Sequence, residues 1–174
     1  MSLLASRSGL AMALALAAMA GLSTPAWAQG ATQSRTPDIA CAPGQPSLTV
    51  EVSGFANAQG IVRAQLYGPG AARFLDKGQW AMRIEQARRG DGPMRFCFPI
   101  AQAGKYAVAV RHDANGNGKS DWNDGGGFTR NPTLSLLRLK PAFAATAVEV
   151  DKHPVTAQVV MQYRRGLSIA PLKR

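Results

Sequence analysis

Residues 113–124 read DANGNGKSDWND. Asp113, Asn115 and Asn117 put side-chain oxygens at offsets one, three and five of a twelve-residue loop; Gly118 stands at six, the Lys119 carbonyl at seven, Asp121 at nine and Asp124 at twelve. This is the ligand spacing of an EF-hand-type calcium loop. A hard divalent cation takes about six to eight oxygens at roughly 2.3 to 2.6 Å, and short oxygen-bearing side chains alternating around a glycine-permitted turn can converge on one point. The set departs from the cytosolic sensor pattern. Neither flank reads as a helix, Ser120 replaces the β-branched apolar residue that pairs two such loops, and Asp124 has a shorter arm than Glu. Arg111, Lys119 and Arg130 add positive charge close by. The expectation is therefore a weak Ca2+ site, on the order of 10⁻⁴ to 10⁻³ M as in extracellular modules. The same composition also fits a metal-free rigid turn, since Asn and Asp side chains bond their own backbone in Asx-turns.

Cys41 and Cys97 are the two cysteines. C-x-x-C is absent and His112 and His153 are far apart in sequence, so neither a redox pair nor a thiolate metal site is indicated. A disulfide tying the N-terminal segment to the sheet is expected. His112 directly precedes Asp113, which raises an alternative: a metal-dependent hydrolase with its site at His112 and the Asp113 loop. No G-x-S-x-G elbow accompanies it. His112 shares the strand face of Val108 and Val110, where a histidine is expected to act as a hydrogen-bonding brace, and the protein is expected not to be an enzyme.

The elements that must hold these residues have a period of two. Leu48, Val50 and Val52 alternate with polar neighbours, as do Val62, Ala64 and Leu66, then Trp80, Met82 and Ile84, then Met94, Phe96 and Phe98. Tyr106, Val108 and Val110 follow, then a short strand at Val148 and Val150 and a longer one from Val155 to Tyr163. About seven short strands with polar outer faces predict an all-β fold, an antiparallel two-sheet β-sandwich. Asn57-Ala58-Gln59-Gly60 reads as a hairpin-type turn between the first two strands, and Ala71–Gly78 and Ser135–Lys140 as single helical turns.

The start of the chain carries an export signal. Arg7 is followed by the uncharged apolar run Leu10–Leu22 and the small-x-small site Ala26-Trp27-Ala28, so cleavage is expected before Gln29. The run is shorter than the ~20 residues that span a bilayer as a helix, so the mature protein is expected in the periplasm or secreted and not membrane-spanning. The expected organisation is a signal peptide over 1–28, a linker over 29–46, the sandwich over 47–163 and a basic tail over 164–174. The formal net charge of +10 arises from basic residues mostly scattered singly at polar positions of the alternating segments, with only Arg88-Arg89 and Arg164-Arg165 paired and no aromatic ladder between them, so nucleic acid is not expected as a partner. An envelope protein, a polysaccharide or an anionic lipid surface is.

Three segments carry a resemblance: LTVEVSGFANAQGIVRAQLYG, GKYAVAVRHDANGNGKSDWNDGGGF and KPAFAATAVEVDKHPVTAQVVMQY. Together they resemble the secreted bacterial domain of unknown function DUF2141, most specifically in the Gly-x-Tyr-Ala-x-x-x-x-His-Asp-x-Asn-x-Asn-Gly block from Gly104 to Gly118. Gly127-Phe128-Thr129 stands where the family has a Pro-containing stretch leading to Gly-Phe-Ser. The resemblance implies export and an immunoglobulin-like or transthyretin-like sandwich, and it implies no activity.

Overall fold

Each alternating segment folds as a strand. The computed structural model describes residues 41–173, so the expected export segment and the expected cleavage before Gln29 lie outside the described residues. The strands are β1 (Ser47–Ser53), β2 (Ile61–Tyr67), β3 (Met82–Ala87), β4 (Met94–Pro99), β5 (Gly104–Asp113), β6 (Gly125–Phe128), β7 (Val148–Val150), β8 (Val155–Val160), β9 (Gln162–Arg165) and β10 (Ser168–Pro171), with one helical turn, α1 (Phe143–Thr146), before β7. The order β4-β1-β8 makes a three-stranded sheet, in which β1 runs antiparallel to β4 and parallel to β8. The order β10-β9-β6-β5-β2-β3 makes the larger sheet, antiparallel throughout, and β7 joins it at the start of β5. The fold is thus the expected all-β, two-sheet architecture, with the β1–β8 pairing as its one parallel departure among the named strands.

The core lies where the alternate residues of the two sheets meet. Leu48, Val50 and Val52 of β1, Phe96 and Phe98 of β4 and Val159 of β8 pack with Val62, Ala64 and Leu66 of β2 and Val108 and Val110 of β5, all buried. Each of the Val, Leu and Phe side chains among them contributes roughly 1.5–3 kcal/mol by leaving water. Cys97 points away from Phe96 and Phe98 and forms the expected disulfide with Cys41.

Five local expectations change. The Asn57–Gly60 connection is not a hairpin turn: β1 and β2 belong to different sheets, and the segment crosses between them. Its end is fixed by Arg88 N–H donating to the Gly60 carbonyl at 2.9 Å. Ala71–Gly78 is a run of turns broken by Leu75 at φ 63°, and Ser135–Lys140 closes as a bridge between Ser135 and Arg138, so neither is helical. The apolar period from Val155 to Tyr163 is continuous, but the chain leaves the small sheet at Met161 and enters the large one as β9. The sequence reading also passed over β6, because GGGF has no side-chain alternation to read. Residues expected as a loose basic tail instead form a hairpin of β9 and β10 around Gly166 at φ 59°, with Ile169 and Leu172 packed on apolar neighbours.

Candidate metal centre

The twelve-residue motif begins on the last residue of β5 and ends immediately before β6, so it is the loop of an antiparallel hairpin whose strands pair from Ala109–Phe128 to His112–Gly125. Gly116 and Gly118, at φ 69° and 75°, make the bends that side chains resist. Inside the loop the Asp113 carboxylate accepts the backbone N–H of Asn117 at 3.2 Å and of Gly118 at 2.7 Å. Asn115 and Asn117 donate their amides to Asp121 Oδ2 at 2.9 and 2.7 Å. These hydrogen bonds, from Asn115 first and then Asn117, hold the Asp121 carboxyl below its usual range. Asp121 Oδ1 is covered and has no hydrogen-bond partner among the described residues.

The remaining two offsets turn elsewhere. Arg111 reaches over from β5 and donates to Asp124 Oδ2 at 2.7 Å, and the same guanidinium bonds the Lys119 carbonyl. The structure therefore ties Asn115 and Asn117 to Asp121, turns Asp113 onto the backbone of Asn117 and Gly118, and gives Lys119 and Asp124 an internal cation. Among the described residues no three His, Cys, Asp or Glu side chains converge as a metal cluster. The donor set suits a hard cation at the first, third, fifth and ninth offsets, all oxygen-bearing. At the seventh and twelfth a metal must compete with Arg111.

His112 stands directly behind this loop and is 0% exposed. Its Nε2 lies 2.8 Å from the Gln59 carbonyl, which can only accept, so the proton sits on Nε2. Nδ1 is then an acceptor, and the Tyr163 hydroxyl donates to it at 2.7 Å. The same hydroxyl oxygen accepts the Ala56 N–H at 3.1 Å. Burial lowers the His112 pKa, and the nearby Arg88 guanidinium acts in the same direction against the Gln59 hydrogen bond and the carboxylates of Asp124 and Asp113. Burial likewise pushes Tyr163 up to about 12.

Residues 50–158 match the sequence profile of DUF2141, described as an uncharacterized protein conserved in bacteria. The chain belongs to the DUF2141 family. No curated protein and no solved structure matches it.

The DUF2141 match runs from within β1 to within β8 and so contains the loop and His112, but it ends before Tyr163. Sequence reading missed Tyr163 as the partner of His112; the inward period of Val159, Met161 and Tyr163 was its only signal. In the sequence Arg111 is a positive charge close to the loop. Its place on Asp124 follows from the register that seats Gly125 opposite His112, which no local spacing reveals.

Proposed function

We propose that this DUF2141 protein is an exported, non-catalytic β-sandwich of the bacterial envelope that serves as a binding or structural module and holds calcium in its β5–β6 loop. The observation that carries the calcium reading is Asp121 Oδ1, a covered carboxylate oxygen without a hydrogen-bond partner among the described residues, in a loop whose Asp113, Asn115 and Asn117 also bear side-chain oxygens at calcium-ligand offsets. A bound calcium ion would supply charge neutralisation and a fixed loop geometry. Asp113, Asn115, Asn117 and Asp121 would hold it, with the Lys119 carbonyl and Asp124 joining as Arg111 withdraws. Competition from Arg111 agrees with weak affinity.

Export is supported by Arg7, the run Leu10–Leu22 and Ala26-Trp27-Ala28, and by a disulfide, a bond that persists in oxidising compartments. The non-catalytic reading draws on His112: the hydrolase alternative needs this imidazole to meet a substrate, yet both of its nitrogens are engaged and its ring is buried. The basic surface suits an envelope protein, a polysaccharide or an anionic lipid surface as partner.

Two measurements test the proposal. The protein recovered from the envelope should begin at Gln29; a product retaining Met1 in the cytoplasm would overturn export. Melting curves in chelator and in millimolar calcium should separate for the wild type and coincide for Asp121→Asn. At ten times Kd the gain is about 1.4 kcal/mol, a shift of a few degrees. Superimposable wild-type curves, with no heat of calcium binding, would overturn the calcium reading.

A further inference from the structure

The larger sheet has a second apolar face, turned away from the core between the sheets. Val108 and Val110 of β5 enter that core, whereas Ala109 lies on the opposite side with Tyr67, Phe128 and Leu134 in a separate buried cluster. Over this face opens a cleft of about 600 Å³. Its volume falls within the ~300–1,000 Å³ of sites that take small organic ligands. One wall is the acidic loop through Ser120, Asp121 and Trp122; the other is the segment carrying Leu134, Leu136 and Leu139.

The floor is open because of one glycine. Gly125 and Gly127 have no room for a side chain: a Cβ on Gly125 would collide with the Tyr163 ring, and one on Gly127 would lie 2.7 Å from Val159 Cγ1. Gly126 is different. A Cβ there would meet no atom within 4 Å, and φ lies outside the left-handed region, so neither packing nor backbone demands glycine. Gly126 is registered between Arg111 and Gln162, and all three line the cleft. Any larger residue at this position would project into the cavity.

The lining selects a ligand chemistry. Leu134, Leu136, Leu139, Ile169 and Phe128 offer hydrocarbon without polar partners, which suits an alkyl chain better than a sugar. Trp122 is 70% exposed and Leu139 53% exposed at the same cleft, large apolar surfaces of the kind that mark binding sites. Arg111 is neutralised by Asp124, while Asp121, tied to Asn115 and Asn117, keeps its negative charge, so Lys140 and Arg164 leave the lining with a net positive charge. Lys140 and Arg164 have no carboxylate within ion-pair distance among the described residues, and Arg164 lies across the Trp122 ring at 3.0 Å from its centroid.

From the hydrocarbon walls, the glycine-opened floor and the two unpaired cations, we infer that this cleft binds a single-chain anionic amphiphile, a fatty acid whose carboxylate meets Lys140 and Arg164 and whose tail lies over Gly126. The inference deepens the binding-module reading and is independent of calcium.

The test uses the full chain in chelator, so that it and the calcium reading fail separately. Dodecanoate below its micellar concentration is titrated by calorimetry, with dodecyltrimethylammonium as the cationic control of equal tail length. Dodecanoate should bind, and the cationic control at least ten-fold more weakly. Gly126→Leu should lower dodecanoate affinity at least ten-fold, and Lys140→Glu several-fold. Leu139→Asp, at a position that is exposed and lies outside the named strands, should weaken binding independently of any folding defect in Gly126→Leu. No heat with dodecanoate, equal affinity for both head groups, or affinity unchanged in both Gly126→Leu and Leu139→Asp would overturn the inference. Flotation with phosphatidylglycerol vesicles without monomeric dodecanoate binding would also overturn it, in favour of a membrane-docking face.

Discussion

The Tyr163 hydroxyl donates to Nδ1 of His112 at 2.7 Å, joining β9 to the end of β5 behind the acidic loop. His112 passes the connection on to the Gln59 carbonyl, and the Tyr163 oxygen also holds Ala56 N–H, so one buried tyrosine fixes the β1–β2 crossover to the strand that launches the loop. Tyr163→Phe leaves the buried His112 Nδ1 without its donor and removes the acceptor of the Ala56 N–H, an expected loss of about 1–3 kcal/mol measured by urea denaturation. A variant as stable as wild type would show that the contact is dispensable.

The same tyrosine predicts an alkaline limit. Its folded pKa is raised to about 12, so the folded state keeps a proton that the unfolded chain releases near the ordinary tyrosine value of about 10. The stabilisation is complete below about pH 10 and is lost as pH rises through about 12, amounting to about 3 kcal/mol. Urea midpoints at about pH 8 and about pH 11 should differ more in wild type than in Tyr163→Phe. An equal drop in both would assign the effect to other groups.

Neighbouring glycines of β6 should behave oppositely. Gly125→Ala pushes a methyl into the Tyr163 ring, and overpacking of this kind costs about 1–3 kcal/mol. Gly126→Ala meets open space and removes backbone freedom from the unfolded chain, so stability should hold or rise by up to about 1 kcal/mol. Equal losses by denaturant titration would contradict the assignment of the two faces.

Breaking the Cys41–Cys97 bond frees a chain segment with a sequence separation of 56. Chain-entropy reasoning gives a loss of up to about 4 kcal/mol for the Cys41→Ser, Cys97→Ser double variant. Its melting temperature should fall while the β signal in circular dichroism persists, because the sheets are held by their own core. An unchanged melting temperature would show that the bridge adds nothing.

Arg111→Gln separates the internal cation from the proposed external one. In chelator it should cost about 1 kcal/mol, since a partly exposed ion pair with Asp124 is lost. In calcium the released Lys119 carbonyl and Asp124 should raise affinity several-fold by calorimetry. Unchanged or weaker affinity would remove Arg111 as the competitor.

The strands could be read from the sequence because a period of two is local: Leu48, Val50 and Val52 declare a buried face with no knowledge of their partners. The same local logic placed Cys97 opposite Phe96 and Phe98, His112 on the core face and the Asp113–Asp124 motif between two strands. Periodicity carries no information about pairing. Only the tertiary structure decided that β1 and β2 part into different sheets, that Gly125-Gly126-Gly127 forms a strand without any side chain to signal one, and that Arg111 takes Asp124 while Tyr163 takes His112. The cleft over Gly126 belongs to the same class, assembled from segments between Gln65 and Ile169 that meet through the register of the larger sheet. Register is set by the collective burial of two facing sheets, so contacts that depend on it become visible only when the whole core has formed.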